Sequence, residues 1–201
     1  MAAVHYDPSS TVFEARRAYF ESNSFGPNGG YDEAWVDFKI GPIPLPFPNT
    51  AARIAAVKVH DLHHIATGYA TDLAGEMEIA AWEIGAGCGR FVAAWVLNLS
   101  GLAFGTLVWP RRVFKAFVRG RRSTSLYGRS LDELLQGTVG DIRRSTSSDD
   151  ANDAFTLADV GLFAMTWIVG SAVGLVFFGL ALPLMPFGIL ALGVLKPKAS
   201  V

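Results

Sequence analysis

The chain has 201 residues, enough for one packed domain with an appendage and too few for two ordinary domains with separate cores. Its formal net charge of −1 gives no global attraction to nucleic acid, so we expect no nucleic-acid partner. The single cysteine, Cys88, excludes an intramolecular disulfide framework and a cysteine-rich zinc site. Any metal ion must therefore be held by nitrogen and oxygen ligands.

The first 50 residues predict a short helix over residues 11–21, followed by a loop rich in Gly, Asn and Pro. Residues 41–48 carry a proline at every second position. Proline fixes φ and disfavours helix at the residue before it. This stretch is therefore predicted to be extended.

Two consecutive helices are predicted after the proline stretch. The apolar positions of residues 51–68 suit a largely buried helix, with Asn49 or Thr50 as its N-cap. Thr71 can cap the second helix, which runs to a glycine-rich stop over residues 85–89. The break between them is short enough to form a helical hairpin.

A third apolar segment, residues 91–109, has two interpretations. Its length would allow it to cross a membrane, but its polar and glycine positions favour a buried core or monotopic helix. A cationic amphipathic helix is predicted next, over residues 111–122. It suits anionic lipid headgroups on the cytoplasmic surface, and the alternative is an ordinary solvated face.

The C-terminal region is strongly apolar. Residues 161–182 carry no charge and are long enough for a transmembrane helix. Pro183 and Pro186 are predicted to interrupt it, which leaves residues 187–195 too short to cross a bilayer alone. We therefore predict an all-α protein with a helical metal-binding domain (1–145), a linker (146–156, within a polar stretch that starts near 143) and a hydrophobic membrane region (157–201).

Three of the four histidines lie within five positions, in the segment His60-Asp61-Leu62-His63-His64. His60 and His64 are four residues apart, so on a helix they share a face and can bind one ion. Asp61 is adjacent and can either bind the ion or orient an imidazole. His63 points away from the pair, and we consider it as a catalytic or substrate-contacting group or as an ordinary polar residue.

Glu76 lies 12 residues after His64, about 18 Å away along one unbroken helix. If the chain reverses at Gly68, the second helix packs antiparallel and Glu76 returns to the level of His64. Glu83, two turns further on, would extend the acidic lining. Nitrogen and carboxylate ligands suit Zn²⁺ best, with Fe²⁺, Mn²⁺ and Co²⁺ also compatible.

The spacing His60-Asp61-x-x-His64-x11-Glu76 resembles the H-D-x-x-H-x11-E signature of the Coq-four family of coenzyme Q (ubiquinone) biosynthesis. The resemblance covers roughly residues 15–145 and is specific over about 60–85. It implies an all-helical, membrane-associated protein that binds zinc or another divalent metal through His60, Asp61, His64 and Glu76. It also implies work on a polyprenylated benzoquinone precursor, either removal of the ring C1 carboxyl with oxidation or organisation of a biosynthetic complex.

The resemblance sets the expected partners: a prenylated quinone precursor or another isoprenoid lipid, the membrane, other quinone-biosynthesis enzymes and a second copy of the chain. We expect the metal site on the cytoplasmic face, with His63 assisting proton transfer. The non-enzymatic alternative is a membrane scaffold or lipid-binding protein with a structural metal. A di-iron membrane desaturase or hydroxylase would need about eight histidines, and a His-Asp phosphohydrolase would need further separated ligands that the sequence lacks.

Overall fold

The computed structural model describes residues 6–36, 39–40, 43–44, 46–147 and 154–195. This part of the chain is mostly helical, which confirms the all-α prediction. The helices are α1 (Val12–Ser22), α2 (Ala51–Thr67), α3 (Leu73–Ala86), α4 (Val92–Val108), α5 (Pro110–Arg121), α6 (Leu131–Gln136), α7 (Val139–Thr146), α8 (Leu157–Ala181) and α9 (Met185–Leu195).

Two short antiparallel pairs of strands precede α2. They join β1 (Trp35–Val36) to β4 (Phe47–Pro48), and β2 (Lys39–Ile40) to β3 (Ile43–Pro44). Strands β3 and β4 bear out the extended conformation predicted for the proline stretch, of which residues 41, 42 and 45 lie outside the described residues.

Side-chain caps set the starts of the helices that carry the histidine cluster and its partners. Thr50 caps α2 by accepting a hydrogen bond from the backbone N–H of Arg53 at 3.2 Å. Gly68 ends α2 with a φ of 79°, a left-handed conformation that glycine adopts without strain. The cap of α3 is Asp72, one residue later than the predicted Thr71, whose hydroxyl instead hydrogen-bonds to Asn23.

Two hydrophobic clusters form the core. One joins α1, α2, α6 and α7, and the other lies between α3, α4 and α5 around Trp82 and Phe117. Helices α3 and α5 approach closely at glycines: a Cβ on Gly120 would lie 2.1 Å from the carbonyl oxygen of Trp82. Leu62 of the histidine segment belongs to the first cluster, whereas His60 and His63 contact Glu83 of α3.

Helix α4 packs between α3 and α8. Its buried Asn98 donates a hydrogen bond to Glu83 of α3, while on another side the backbone of Leu99 meets Gly170 of α8. With 17 residues and these contacts, α4 fits the interpretation of residues 91–109 as a core helix. The basic helix predicted over residues 111–122 is α5.

The C-terminal apolar region forms one long helical path. Residues Leu157–Leu190 are long and apolar enough to span a membrane, and only 11% of their most apolar window is buried. The α-helix is interrupted at the predicted prolines, since α8 ends at Ala181, but the interruption is only a single 3-10 turn at Leu182–Leu184 that leads directly into α9. Helical structure continues because a proline in the first turn of a helix needs no N–H partner. The linker begins slightly later than predicted, since α7 includes residues 143–146, and residues 148–153 lie outside the described residues.

Candidate metal centre

Three predicted ligands converge between α2 and α3. The Nε2 atoms of His60 and His64 are 3.2 Å apart. Glu76 approaches both rings, with Oε2 at 3.4 Å from His60 Nε2 and Oε1 at 3.4 Å from His64 Nε2. The reversal at Gly68 therefore brings Glu76 level with the histidine pair, as the sequence predicted. These three residues form a cluster that could hold a metal ion.

The distances between the three donors suit a single small ion. Two ligand atoms bound tetrahedrally to zinc at about 2.0–2.1 Å lie about 3.3–3.5 Å from each other. The separations of 3.2, 3.4 and 3.4 Å are close to that edge length. The donors are thus positioned for shared coordination with little rearrangement.

Hydrogen bonds on the far side of each ring direct Nε2 of both histidines inward. Nδ1 of His64 lies 3.0 Å from the backbone carbonyl oxygen of Tyr69, which can only accept, so Nδ1 carries the proton. Nδ1 of His60 lies 2.9 Å from Oε1 of Glu83 and donates in the same way. In the neutral rings both Nε2 lone pairs consequently face each other and the Glu76 carboxylate, an arrangement that favours a metal ion or a proton between them.

Glu83 is the main functional residue whose role the sequence underestimated. Its carboxylate is fully buried and accepts four hydrogen bonds. Oε1 accepts from Nδ1 of His60 and, at 2.6 Å, from Nδ1 of His63. Oε2 accepts from the Tyr127 hydroxyl at 2.8 Å and from the Asn98 side-chain amide. It therefore orients the histidines from behind instead of extending the acidic lining.

The electrostatics of the cluster favour bound positive charge. Burial alone would raise the pKa of Glu76, but the adjacent His64 and His60 lower it to about 2. Burial would likewise lower the pKa of His60, yet Glu83 and Glu76 outweigh burial and raise this pKa well above its usual value. Without a metal, the extra proton on His60 supplies the positive charge that the two carboxylates demand.

The structure does not bring Asp61 into this group. Its buried carboxylate accepts hydrogen bonds from the hydroxyls of Tyr31, at 2.5 Å, and Tyr19, at 3.4 Å. The Tyr19 ring in turn stacks on His64, with the ring centres 5.7 Å apart. Asp61 thus anchors the rings of Tyr19 and Tyr31, an aromatic wall beside the cluster. Its assignment as a fourth ligand stays a prediction.

His63 lies behind the cluster, with both ring nitrogens occupied. Nδ1 contacts Glu83, and Nε2 accepts the backbone N–H of Leu126 at 2.9 Å, which fixes the neutral tautomer. Its side chain has no exposed surface, and burial lowers its pKa despite the nearby Glu83. A substrate at the cluster would not reach this ring, so we assign His63 no part in the chemistry below.

The cluster is open on the side of Glu76. The Glu76 side chain is 29% exposed and that of His60 is 17% exposed, while His64 is almost completely covered. An ion bound here would keep a position open to solvent or substrate, which is typical of catalytic sites. Two other acidic residues near the cluster have structural contacts: Asp72 caps α3, and Glu78 pairs with Arg112 at 2.6 Å.

We compared the chain with protein-family models, curated proteins and solved structures, and none of the three comparisons gives a match. The candidate function is therefore inferred from the residues and their geometry.

Proposed function

We propose that the chain is a metal-dependent protein of ubiquinone biosynthesis that acts on a polyprenylated benzoquinone precursor at a membrane. The observation that carries the proposal is the convergence of His60, His64 and Glu76, the histidines and glutamate of the motif that resembles the Coq-four family. The reaction class implied by that resemblance is removal of the ring C1 carboxyl as CO2 with oxidation of the ring, for which the proposal requires an external two-electron acceptor. The solvent-accessible side of the cluster favours catalysis over the alternative of a scaffold with a structural metal.

In this proposal, His60, His64 and Glu76 hold a divalent ion, with Zn²⁺ the best fit and Fe²⁺, Mn²⁺ or Co²⁺ compatible. A bound ion supplies Lewis acidity toward a carboxyl or phenol oxygen of the substrate. Glu83 and the Tyr69 carbonyl hold the imidazoles in the tautomer that binds metal. The apolar surface of α8 offers the isoprenoid tail a path along the membrane helix.

The contacts of the cationic helix α5 support a position of the site at the membrane surface. Arg119 donates to the carbonyl of Thr67 and lies over the Tyr69 ring at 5.1 Å, next to the loop that orients His64. Arg121 pairs with Asp159 in the first turn of α8. Because α5 contacts both regions, we infer that the cluster and the start of the candidate membrane helix lie on the same side of the membrane. We propose that this is the cytoplasmic side, where basic segments are retained.

The proposal is tested in cells that lack the protein. We expect the ubiquinone level to fall and a prenylated precursor that retains its ring carboxyl to accumulate, as measured by mass spectrometry of extracted lipids. The wild-type chain and a Glu78→Ala variant should restore the profile, whereas Glu76→Ala should not, because only Glu76 belongs to the metal cluster. An unchanged quinone profile in the deletion strain would remove the biosynthetic role.

A further inference from the structure

Three basic side chains each lie over an aromatic ring near the metal-binding face of α2. The Arg16 guanidinium lies 5.7 Å from the ring centre of Phe20, and the Lys58 ammonium lies 5.3 Å from that of Tyr31. The two rings pack edge to face, with their centres 5.6 Å apart. Arg53 completes the group from the start of α2, where its guanidinium lies 5.6 Å from the ring centre of Phe47.

None of these cations forms a close ion pair with a carboxylate in the described part of the chain, and Asp61 and Glu76 act on Arg53 only through longer-range electrostatic attraction. The Arg53 guanidinium donates a hydrogen bond to the side-chain oxygen of Asn49 at 2.8 Å. The Nε atoms of Arg53 and Arg16 are buried and have no hydrogen-bond partner. A buried donor without a partner costs free energy, and an anionic ligand with several acceptor oxygens would remove that cost.

The position of Arg53 within α2 also favours an anion. Arg53 is in the first turn, directly after the Thr50 cap, and this turn contains no acidic residue. The N-terminus of a helix carries partial positive charge, so a cation is usually unfavourable there and a bound oxyanion is favourable. Helix and guanidinium therefore attract the same kind of ligand.

The group lies next to the metal cluster. Arg53 precedes His60 by seven positions, just under two helical turns, so the two share a face of α2 and are about 10 Å apart along its axis. The Tyr31 ring beside Lys58 is in turn held by Asp61, the residue after His60. A small organic molecule could contact both the cations and an ion at the cluster.

We propose that Arg53, assisted by Arg16 and Lys58, forms a binding site for the oxyanion of an organic acid, a carboxylate or a phosphate ester on an apolar body. The planar guanidinium can bind such a group through two parallel hydrogen bonds, and the aromatic wall accommodates the apolar part. That this molecule is also the substrate of the metal cluster rests on the proposed function. The anion site itself does not.

The test uses the full chain in detergent, with and without zinc, and measures binding of benzoate and of phenyl phosphate by calorimetry. Wild type should bind at least one of them. Arg53→Met should weaken that binding tenfold or more, and Arg53→Lys should weaken it less, because it keeps the charge and loses the planar fork. Arg111→Met is the matched control, since Arg111 is an exposed arginine on α5.

The relative affinities for the two anions, in the wild type and in the Arg53 variants, decide the proposal. Stronger binding of benzoate identifies a carboxylate site and stronger binding of phenyl phosphate a phosphate site, and either supports the proposal when Arg53→Met removes it. Binding of neither anion to the wild type, or equal binding by wild type, Arg53→Met and Arg53→Lys, would overturn it. If Arg53→Met does not fold, as judged by thermal unfolding, Arg53→Lys decides alone. Anion binding with an unchanged quinone profile would overturn the proposed function and leave the anion site standing.

Discussion

At the scale of single residues, the function of each histidine depends on what its second nitrogen contacts. His60 and His64 have Nδ1 bound to acceptors and Nε2 directed at each other. His63, one position from His64, uses both nitrogens in buried hydrogen bonds. Adjacent residues of one type thus have different roles, and substitutions should separate them.

Substitution of a candidate ligand should remove most of the bound metal. We expect His64→Ala and Glu76→Ala to lose most of the divalent metal that elemental analysis detects in purified wild-type protein, because each removes one of three converging donors. Full occupancy in both variants would refute the site. Asp61→Asn serves as the discriminating variant: loss of metal would make Asp61 a ligand, and retention would leave it an anchor for Tyr31.

Substitution of Glu83 should weaken metal binding without removing a ligand. Glu83→Gln removes the charge of the carboxylate that accepts the Nδ1 proton of His60 and so keeps the Nε2 of this ring free to bind the ion. We therefore expect the zinc dissociation constant to rise about 10–100-fold. Competition with a chromogenic chelator measures this change. Glu78→Gln is the control, since Glu78 lies on the same helix and pairs at the surface with Arg112. Equal affinity of the two variants would exclude a positioning role for Glu83.

At the scale of elements, α4 connects the metal cluster to the apolar C-terminal helix. Its Asn98 holds Glu83, and its backbone near Leu99 lies against Gly170 of α8. That close approach exists because glycine has no Cβ: an added Cβ would lie 2.6 Å from the Leu99 carbonyl oxygen. The close approach of α8 to α4 at this point therefore requires a glycine at position 170.

Gly170→Ala should push α8 away from α4 and destabilise the fold by about 1–3 kcal/mol, the usual cost of overpacking. Thermal unfolding in detergent measures the loss. Gly174→Ala is the matched control on the same helix, because its Cβ would meet nothing closer than 3.7 Å and should be tolerated. Equal unfolding temperatures would show that the two helices do not pack as described.

At the scale of the whole molecule, the metal cluster and the candidate membrane helix belong to one packed helical body. The second hydrophobic cluster extends from Met77 and Trp82 of α3 through α4 and α5 to Phe163 and Trp167 of α8. An ion that binds only the folded chain stabilises this whole body by mass action.

Metal removal should accordingly lower the unfolding temperature of the complete protein. At a free metal concentration about 100 times the dissociation constant, binding contributes about 2.7 kcal/mol, or about 5–10 °C for a chain of this size. Differential scanning calorimetry in detergent with and without chelator checks this shift. Glu76→Ala protein should not respond to the chelator, and an equal response in that variant would assign the effect to something other than the cluster.

The sequence by itself determined the helical fold class, the approximate extents of α1 to α5, the apolar C-terminal helix and the His60–His64 pair. These features follow from local signals: caps, glycine stops, prolines and the 3.6-residue period act within a few positions of the chain. It also made the return of Glu76 possible through the break at Gly68. The tertiary structure decided which acidic residue supports which histidine, since Glu83, Tyr69 and Tyr127 reach the cluster only through packing. It also decided that His63 turns inward and that Asp61 holds Tyr31, because the faces on which neighbouring helices lie are not encoded by local spacing.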